Sequence, residues 1–347
     1  MELKEQAVPP YSDDSALAEQ HITRRVPSVV YMEKLYSEEH YLDIGCEPRP
    51  ILRNINIDIK KGEIWGILGR ELFDLKLLLE IMANIKPYYS GTCQLLERGM
   101  FKNKRIIHPD LFYFASTSMA YTNMKVLEFL MFTTANSSFD QKTQAERLSD
   151  QLFLFGLGGI RNTPIYKLSS EYKSIVLLLA GYFSSNRLII MNLPTLIYNE
   201  EQRKVLKNIA EKIRSAEQTL VFSTMDETLI EKVCGHTAYL KDGTFLYAGA
   251  VETLIKTYDK VVMTVKDPDV RQIKRILSES FPDYMYRIDD DVLYISSSTG
   301  YGRPRALYER IVMEGYAPND VKINNKTLQN AIKELTKQNY VYEQLFL

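Results

Sequence analysis

One stretch of the chain has the layout of a phosphate-binding loop but lacks most of the residues that such a loop needs. Gly69 ends a strand-like segment, GEIWGILG, and an apolar helical segment follows at residues 78–83. A working loop between them would read G-x-x-x-x-G-K-S/T, in which amides held by glycine turns surround the phosphates, the lysine neutralises charge and the hydroxyl holds Mg²⁺. Only the first glycine is present. The later motif positions carry Leu72, Asp74, Leu75 and Lys76, and Leu77 follows them.

These substitutions oppose phosphate binding through geometry and through charge. A residue with a Cβ loses about 1–2 kcal/mol in left-handed geometry, and Leu72 and Asp74 stand where glycines should be. Glu71 and Asp74 would face a polyphosphate, and one such repulsion at ~4 Å costs about 4 kcal/mol at an effective dielectric near 20. Two alternatives stay open: Asp74 caps a helix that begins at Leu75 and takes the phosphate's place, or Lys76 substitutes for the missing lysine.

The elements around this stretch alternate short β-rich runs with helical segments from Val30 to about Thr253, which is typical of an α/β domain. After Tyr258 the pattern restarts as a small α+β unit. Its predicted elements are strand 261–265, helix 268–280, strands 284–288 and 291–296, helix 303–314, strand 320–323 and helix 326–336.

Composition describes an ordinary globular protein. The chain has 347 residues, of which 45% are hydrophobic and 25% charged, with a formal net charge of -1. That balance argues against a general nucleic-acid binder. The longest apolar run, residues 175–183, is far shorter than the ~20 residues of a membrane span, and the N-terminus lacks the order of a signal peptide. We therefore expect a cytoplasmic protein.

Several segments in the correct order resemble an ATP-binding cassette of ABC transporters. ILRNINIDIKKGEIWGILG (51–69) and IKPYYSGT (85–92) match the strand pair before the phosphate loop and the segment after its helix. YKLSSEY (166–172) stands at the L-S-G-G-Q signature, and RLIIMNLPT (187–195) at the strand that ends in D-E-P-T. TLVFSTM (219–225) and YLKDGTFLYAG (239–249) match the last strands. The resemblance covers roughly residues 30 to 255.

The resemblance implies an α/β fold, namely an ABC-type P-loop NTPase-like domain with a helical subdomain, plus a small ferredoxin-like α+β domain. It places a degenerate cassette at 30–258, with its helical subdomain at about 124–180, and an accessory domain at 259–347. Residues 1–29, which are polar and without a period, predict a flexible tail. The ending VKINNKTLQNAIKELT resembles the C-terminal appendage of exporter-type cassettes.

The same resemblance implies that the residues of ATP hydrolysis are replaced. Asn192 stands where the Mg²⁺-bearing aspartate belongs, Leu193 at the general base and Met225 at the histidine that contacts the γ-phosphate. Ser116 takes the place of the usual glutamine, and Asn199 that of an aspartate facing the other subunit. A neutral amide holds Mg²⁺ poorly, and leucine accepts no proton. We expect no catalytic residue and no metal site, with ATP and Mg²⁺ as cofactors only if the degenerate site still binds.

The signature region also carries substitutions that oppose binding of a nucleotide held by a partner subunit. Ser169 retains the signature serine and can cap the helix through Leu179, while Ser170 and Glu171 replace the glycines that follow. In the family this segment contacts ATP held by the other subunit, and Glu171 would repel the γ-phosphate.

Other candidate residues have an ordinary structural alternative. Tyr36 stands at the aromatic that stacks on adenine, or is one packed tyrosine among 23. The run Asp289 to Asp291 could bind Ca²⁺, or form an exposed turn. No metal spacing joins the cysteines and histidines, which are Cys46, Cys93, Cys234, His21, His40, His108 and His236.

We therefore expect a catalytically degenerate cassette subunit of an exporter-like ABC transporter. Its partners would be an intact ATP-binding subunit, giving a hetero-oligomer, and a membrane permease, placing the chain at the periphery of the cytoplasmic membrane. Residues 116–132, rich in Met, Tyr and Phe, would be the docking region or simply core. The alternatives are an interaction module outside transport and an ATPase that works through unusual residues.

Overall fold

The computed structural model describes residues 26–41, 47–100, 104–119, 123–135, 140–298, 302–323 and 326–345. Residues 1–25 of the predicted tail, His21 and Cys46 lie outside these ranges. The first strand begins at Ser28, two positions before the predicted start of the cassette.

The larger, N-terminal unit contains strands and helices in alternation. Its strands are β1 (Ser28–Ser37), β2 (His40–Tyr41), β3 (Arg49–Pro50), β4 (Ile55–Lys60), β5 (Ile64–Gly69), β6 (Tyr88–Leu95), β7 (Arg98–Gly99), β8 (Leu111–Phe114), β9 (Leu188–Asn192), β10 (Thr219–Thr224), β11 (His236–Lys241) and β12 (Thr244–Ala250). Its helices are α1 (Leu72–Met82), α2 (Lys104–Ile107), α3 (Val126–Thr133), α4 (Gln141–Leu154), α5 (Ser170–Phe183), α6 (Glu200–Ser215), α7 (Glu227–Val233) and α8 (Val251–Tyr258).

The central sheet has the order β12-β11-β5-β10-β9-β8, and all its pairings are parallel except that of β11 with β12. Every residue of β5, β9 and β10 is buried, as expected of parallel strands covered on both faces. Because β5, β10 and β9 are neighbours, their carboxyl ends lie side by side at one edge of the sheet. The residues that follow these three strands therefore share one region.

Two layers cover the faces of this sheet. Ile64 and Leu68 of β5 pack among the helices α5 and α6, while Trp65 and Ile67 pack towards α1 and a second, antiparallel sheet of order β4-β1-β6-β7. The alternation follows from the strand's period of two, which sends successive side chains to opposite faces. The predicted α/β fold class is confirmed.

The helical segment between the two halves consists of α3, α4 and α5, and α5 runs to Phe183 rather than ending near residue 180. The proposed docking region falls partly here, and its residues 120–122 lie outside the described ranges. Phe129 and Leu130 belong to the core, whereas Phe132 is 53% exposed. The core interpretation therefore holds for Phe129 and Leu130, and docking through the exposed residues stays a prediction.

The C-terminal unit is a four-stranded antiparallel sheet with two helices packed on one face. It comprises β13 (Val261–Lys266), α9 (Val270–Ser280), β14 (Met285–Asp289), β15 (Val292–Ser296), α10 (Pro304–Met313) and β16 (Asp320–Ile323), in the sheet order β14-β15-β13-β16. This βαββαβ order with β13 and β15 in the centre is the ferredoxin-like arrangement. The predicted elements agree with these bounds to within two residues.

The last helix, α11 (Leu328–Leu345), continues well past the predicted end at Thr336. Leu328, Ala331 and Leu335 are buried in the core of the larger unit, where α11 packs against α7 and α8. The chain therefore returns to the larger unit at its end. Within the described ranges, no helix has both the length and the apolarity to cross a bilayer.

Candidate functional site

The predicted phosphate loop is a helix in the structure. Only Arg70 and Glu71 separate the end of β5 at Gly69 from the first residue of α1, Leu72. Residues 72–74, which the motif would use as loop, are helical, and no residue from 63 to 83 has a positive φ. A phosphate nest needs alternating backbone conformations that aim successive amides at one point. This segment provides none.

Gly69 is needed for packing instead. A Cβ on it would lie 3.1 Å from the Leu240 carbonyl oxygen and 3.1 Å from Leu75 Cδ2. Leu75, at the position of the phosphate-binding lysine, is fully buried, and Leu77 is almost so. Lys76 points the other way and pairs with Glu80 on the next turn, with 3.8 Å between Nζ and Oε1. The surviving glycine thus serves the contact between β5 and α1.

The predicted capping role of Asp74 is wrong. The helix begins at Leu72, three residues before the expected start, and its N-cap is Glu71, which makes no side-chain capping bond. Asp74 lies in the first turn, fully buried, and its Oδ1 accepts a hydrogen bond from the hydroxyl of Tyr41. Tyr41 is in the short β2–β3 hairpin, opposite Arg49, whose guanidinium lies 5.5 Å from the centroid of the tyrosine ring.

Burial raises the pKa of both members of this pair. It raises the pKa of Asp74 above its usual value, and the nearby carboxylates Glu71 and Asp242 raise it further. The Tyr41 hydroxyl and the Gly243 backbone act in the opposite direction, although Oδ2 accepts no hydrogen bond of standard geometry. Burial likewise raises the pKa of Tyr41. A buried acid with its own phenol donor therefore occupies the start of the helix, where a nucleotide phosphate would need free amides.

At the neighbouring strand ends, the three hydrolysis positions carry groups without acid or base function. Asn192 ends β9, is 5% exposed, and its Oδ1 accepts from Ser223 Oγ at 2.8 Å. Leu193 packs against the core. Met225 follows β10, is 45% exposed, and its amide donates to the Pro194 carbonyl at 3.1 Å. The three are brought together as the alignment of strands predicts, but they form a structural link between β9 and β10.

A polar arrangement beside them was missed by the sequence analysis. Asp226 caps α7 by accepting from the Leu229 amide at 3.2 Å, and its other oxygen pairs with Arg203 Nη2 at 2.7 Å. Asn199 is the N-cap of α6 in a reciprocal capping box with Gln202. A sequence signal existed for both, because an Asp or Asn directly before a helical run is a typical cap.

The signature segment has the predicted cap. Ser169 is the N-cap of α5 and accepts from the Tyr172 amide at 3.5 Å, a long bond. Ser170 begins the helix, and Glu171 follows it in the first turn, where its negative charge suits the helix N-terminus. Of the two predicted helix caps, Asp74 and Ser169, only Ser169 has the expected geometry.

The remaining candidates are ordinary surface or sheet residues. Ser116 follows β8, and its hydroxyl lies 2.7 Å from that of Ser118. Tyr36 is half-buried in β1 opposite Ser90 of β6. The run 289–291 is the turn of the β14–β15 hairpin, with φ of +51° at Asp290, as the turn interpretation predicts.

Across the described residues, no three side chains of the metal-binding types converge. Cys93 and Cys234 are buried free thiols, and burial raises the pKa of Cys93 to about 12. The residues at the predicted phosphate-loop and metal positions do not fit Mg-ATP, since residues 72–74 are helical, Leu75 is buried and Asn192 accepts a hydrogen bond from Ser223.

The fold is that of an ATP-binding cassette of the ABC transporter type, as comparisons with known proteins show. No family model matches the chain. It is 23% identical over 212 residues to the cytochrome c biogenesis ATP-binding export protein CcmA of Reclinomonas americana, covering 61% of this chain and 90% of that protein. With an ABC transporter ATP-binding protein of Listeria monocytogenes it shares 21% identity over 204 residues, 57% of this chain and 75% of the relative.

Solved structures agree on the fold. CbiO1 of Clostridium perfringens, described as part of the ABC transporter complex cbiONQ, superposes with a TM-score of 0.56 at 16% identity, covering 74% of this chain and 96% of that one. A nucleotide-free ATP-binding cassette from an ABC transporter gives 0.53 at 14% identity, covering 72% and 99%. The homologues and structural neighbours are ABC transporter ATP-binding subunits, and the chain has their cassette fold.

Proposed function

We propose that this chain is an ATP-binding-type subunit of an ABC transporter that has kept the cassette fold and lost nucleotide chemistry. One observation carries the proposal. Only Arg70 and Glu71 separate β5 from α1, so the helix occupies the place of the phosphate loop, and Asp74 within it accepts a hydrogen bond from Tyr41. The relatives, which are named ATP-binding and export proteins, support the transporter part.

The proposed arrangement is a pair with an intact cassette. Two copies of this chain would contain no carboxylate at positions 192 and 193, and no lysine at position 75 in either site. Any mechanical work would then need ATP held and cleaved by another subunit. Glu171 in the signature weakens even the contribution to a partner's nucleotide, because its charge opposes the γ-phosphate.

The partner in the membrane would be an exporter-like permease, which places the chain at the cytoplasmic face as a peripheral subunit. The region we propose for docking includes the exposed Phe132 at the end of α3. We propose the division into a cassette at 30–258 and an accessory domain at 259–347, and α11, which packs on α7 and α8, would then link the two.

A second candidate is an interaction module outside transport. It is favoured by the apolar side chains that replace loop residues, since Leu72 is 45% and Phe73 is 55% exposed on the first turn of α1. Exposed apolar side chains do not bind nucleotide phosphates, whereas a protein partner would cover them.

The first test is purification of the protein from its own cells in mild detergent, followed by mass spectrometry of what stays bound. Recovery of a polytopic permease together with an intact cassette is the expected result. Recovery of soluble partners alone would contradict the transporter role and favour the interaction module.

A calorimetric titration of the purified chain with Mg-ATP separates the third possibility, an ATPase with unusual residues. We expect no saturable heat up to millimolar nucleotide. A dissociation constant near the micromolar range would overturn the account of Asp74 and Tyr41, whatever the partners prove to be.

A further inference from the structure

A polar cavity lies between the C-terminal sheet and the start of α11, and none of the predicted nucleotide-site residues lines it. Its volume is about 320 Å³, and its wall includes Thr264, Lys266, Tyr294, Lys322, Thr327 and Asn330. Pockets for small molecules begin near this size, at about 300 Å³. The resemblance to the cassette family and the proposed function give this cavity no role.

The sheet sets the positions of its polar groups. Thr264 of β13 is opposite Tyr294 of β15 and Lys322 of β16, so these three form one row across the sheet. Lys266 lies two residues along β13 and therefore on the same face. The alternate residues, such as Val265 and Leu293, point to the other face, into the core formed with α9 and α10.

The cavity wall carries two lysines and one carboxylate, Asp320, which is opposite Lys266 in the sheet, so the charge of the wall is positive by one. Among the described residues, no carboxylate lies within 4 Å of Lys266 Nζ, and neither the Thr264 nor the Tyr294 hydroxyl has a hydrogen-bond partner. Lys322 has only a loose pair, with 3.6 Å between its Nζ and Asp320 Oδ2, and both groups are at least half exposed. The Arg287 guanidinium covers the Tyr294 ring at 4.6 Å from its centroid, and its charge is paired with Glu334 at 3.4 Å.

We propose that this cavity binds a small organic or inorganic anion, a carboxylate or phosphate of metabolite size. Lys266 and Lys322 would bind its charge, and the hydroxyls of Thr264 and Tyr294 would donate to its oxygens. Charge-assisted hydrogen bonds of this type are the strong ones in proteins. The site stands on its own residues and does not depend on the proposed role in transport.

The cavity wall is connected to the larger unit. The Thr327 amide donates to Asp259 Oδ2 at 2.6 Å, and the Leu328 amide donates to Glu231 Oε2 at 2.9 Å. Asp259 is fully buried, and Glu231 belongs to α7, which begins directly after Met225 and Asp226. An anion seated beside Thr327 would therefore stabilise the start of α11 on α7, and we assign the site a regulatory role.

The test is calorimetric titration of the full chain with sodium phosphate and with succinate at constant ionic strength, using chloride as the blank. We expect saturable binding of at least one anion, weakened about tenfold or more by Lys266→Gln. Lys274→Gln on α9, which packs on the opposite face of the sheet, is the matched control and should leave the affinity unchanged. Absence of saturable binding, or equal affinities of the wild type and Lys266→Gln, would refute the site.

Two further measurements identify the source of the anion and test whether its binding stabilises the start of α11. Sedimentation with phosphatidylglycerol vesicles that is lost in Lys266→Gln would assign the anion to a lipid headgroup, whereas binding of the free anions alone assigns it to a soluble metabolite. Hydrogen exchange of the amides of residues 327–335 should slow when the bound anion is present. Unchanged exchange there would remove the regulatory role.

Discussion

At the scale of single residues, the main feature of the site is a buried carboxyl group whose hydrogen-bond donor is another side chain of the same protein. Asp74 is buried in the first turn of α1, and the phenol of Tyr41 donates to it across the chain. A buried carboxylate without a donor is costly, so the tyrosine and the aspartate depend on each other. In the proposed function, the pair takes the space that a phosphate would need.

We predict that Tyr41→Phe destabilises the protein by about 1.5–3 kcal/mol at neutral pH, the usual range for a hydrogen bond to a charged group. The sign with pH follows from the raised pKa of Asp74. When the pKa of an acid is higher in the folded than in the unfolded protein, stability falls as the pH rises from the unfolded pKa to the folded pKa. The Tyr41 hydroxyl lowers the folded pKa of Asp74, so Tyr41→Phe raises that pKa further and extends the pH range over which stability is lost. The cost of the substitution should therefore be largest at neutral pH and smallest in acid. Urea unfolding at several pH values measures it.

Two variants control this measurement. Tyr31→Phe removes a hydroxyl that donates to Glu33 at the surface, at 2.9 Å, and should leave the melting temperature unchanged. In an Asp74→Asn background, Tyr41→Phe should cost less than in the wild type, because no charge is left without its donor. Equal costs in both backgrounds would show that the contribution of the Tyr41 hydroxyl does not depend on the charge of Asp74.

At the scale of elements, the sequence predicted the strands around the site well and the start of α1 poorly. The strand end at Gly69 follows from an apolar run and agrees with the structure. The strand β9 lies within residues 187–195, the segment that the resemblance identified as a strand. Asp74 before an apolar run is the normal signal for a helix start, yet the helix begins at Leu72. That signal was misleading because the tertiary contact with Tyr41, 33 positions earlier in the chain, uses the carboxylate instead. No local pattern contains this information.

Helix caps give a prediction at this scale, because the cap of α7 makes shorter and more numerous side-chain contacts than the cap of α5. Asp226→Ala should destabilise by about 2–3 kcal/mol, since it removes a cap and leaves the partly buried Arg203 without its 2.7 Å partner. Ser169→Ala removes only a 3.5 Å bond and should cost about 0.5–1 kcal/mol. Thermal unfolding of the two variants ranks them, and the reverse order would mean that the Asp226 interactions add little.

At the scale of the whole molecule, α11 connects the C-terminal unit to the larger unit. The C-terminal sheet has its own core with α9 and α10, but α11 leaves that sheet and buries its apolar side among α7 and α8. The sequence predicted every element of the C-terminal unit, while the packing of its last helix could not be read from periodicity. An amphipathic pattern shows that a helix has a buried face and does not show what covers it.

The final prediction tests that packing with a matched pair of fully buried leucines. Leu328 lies on α11 in the core of the larger unit, and Leu307 lies on α10 in the core of the C-terminal unit. Trp65, the single tryptophan, is buried in the larger unit and reports its unfolding by fluorescence. Leu328→Ala should lower the free energy of unfolding followed at Trp65 by about 2–5 kcal/mol, and Leu307→Ala should lower it less. If Leu328→Ala leaves the fluorescence transition in place, α11 is not part of the cooperative core of the larger unit, and the link from the C-terminal cavity to α7 fails with it.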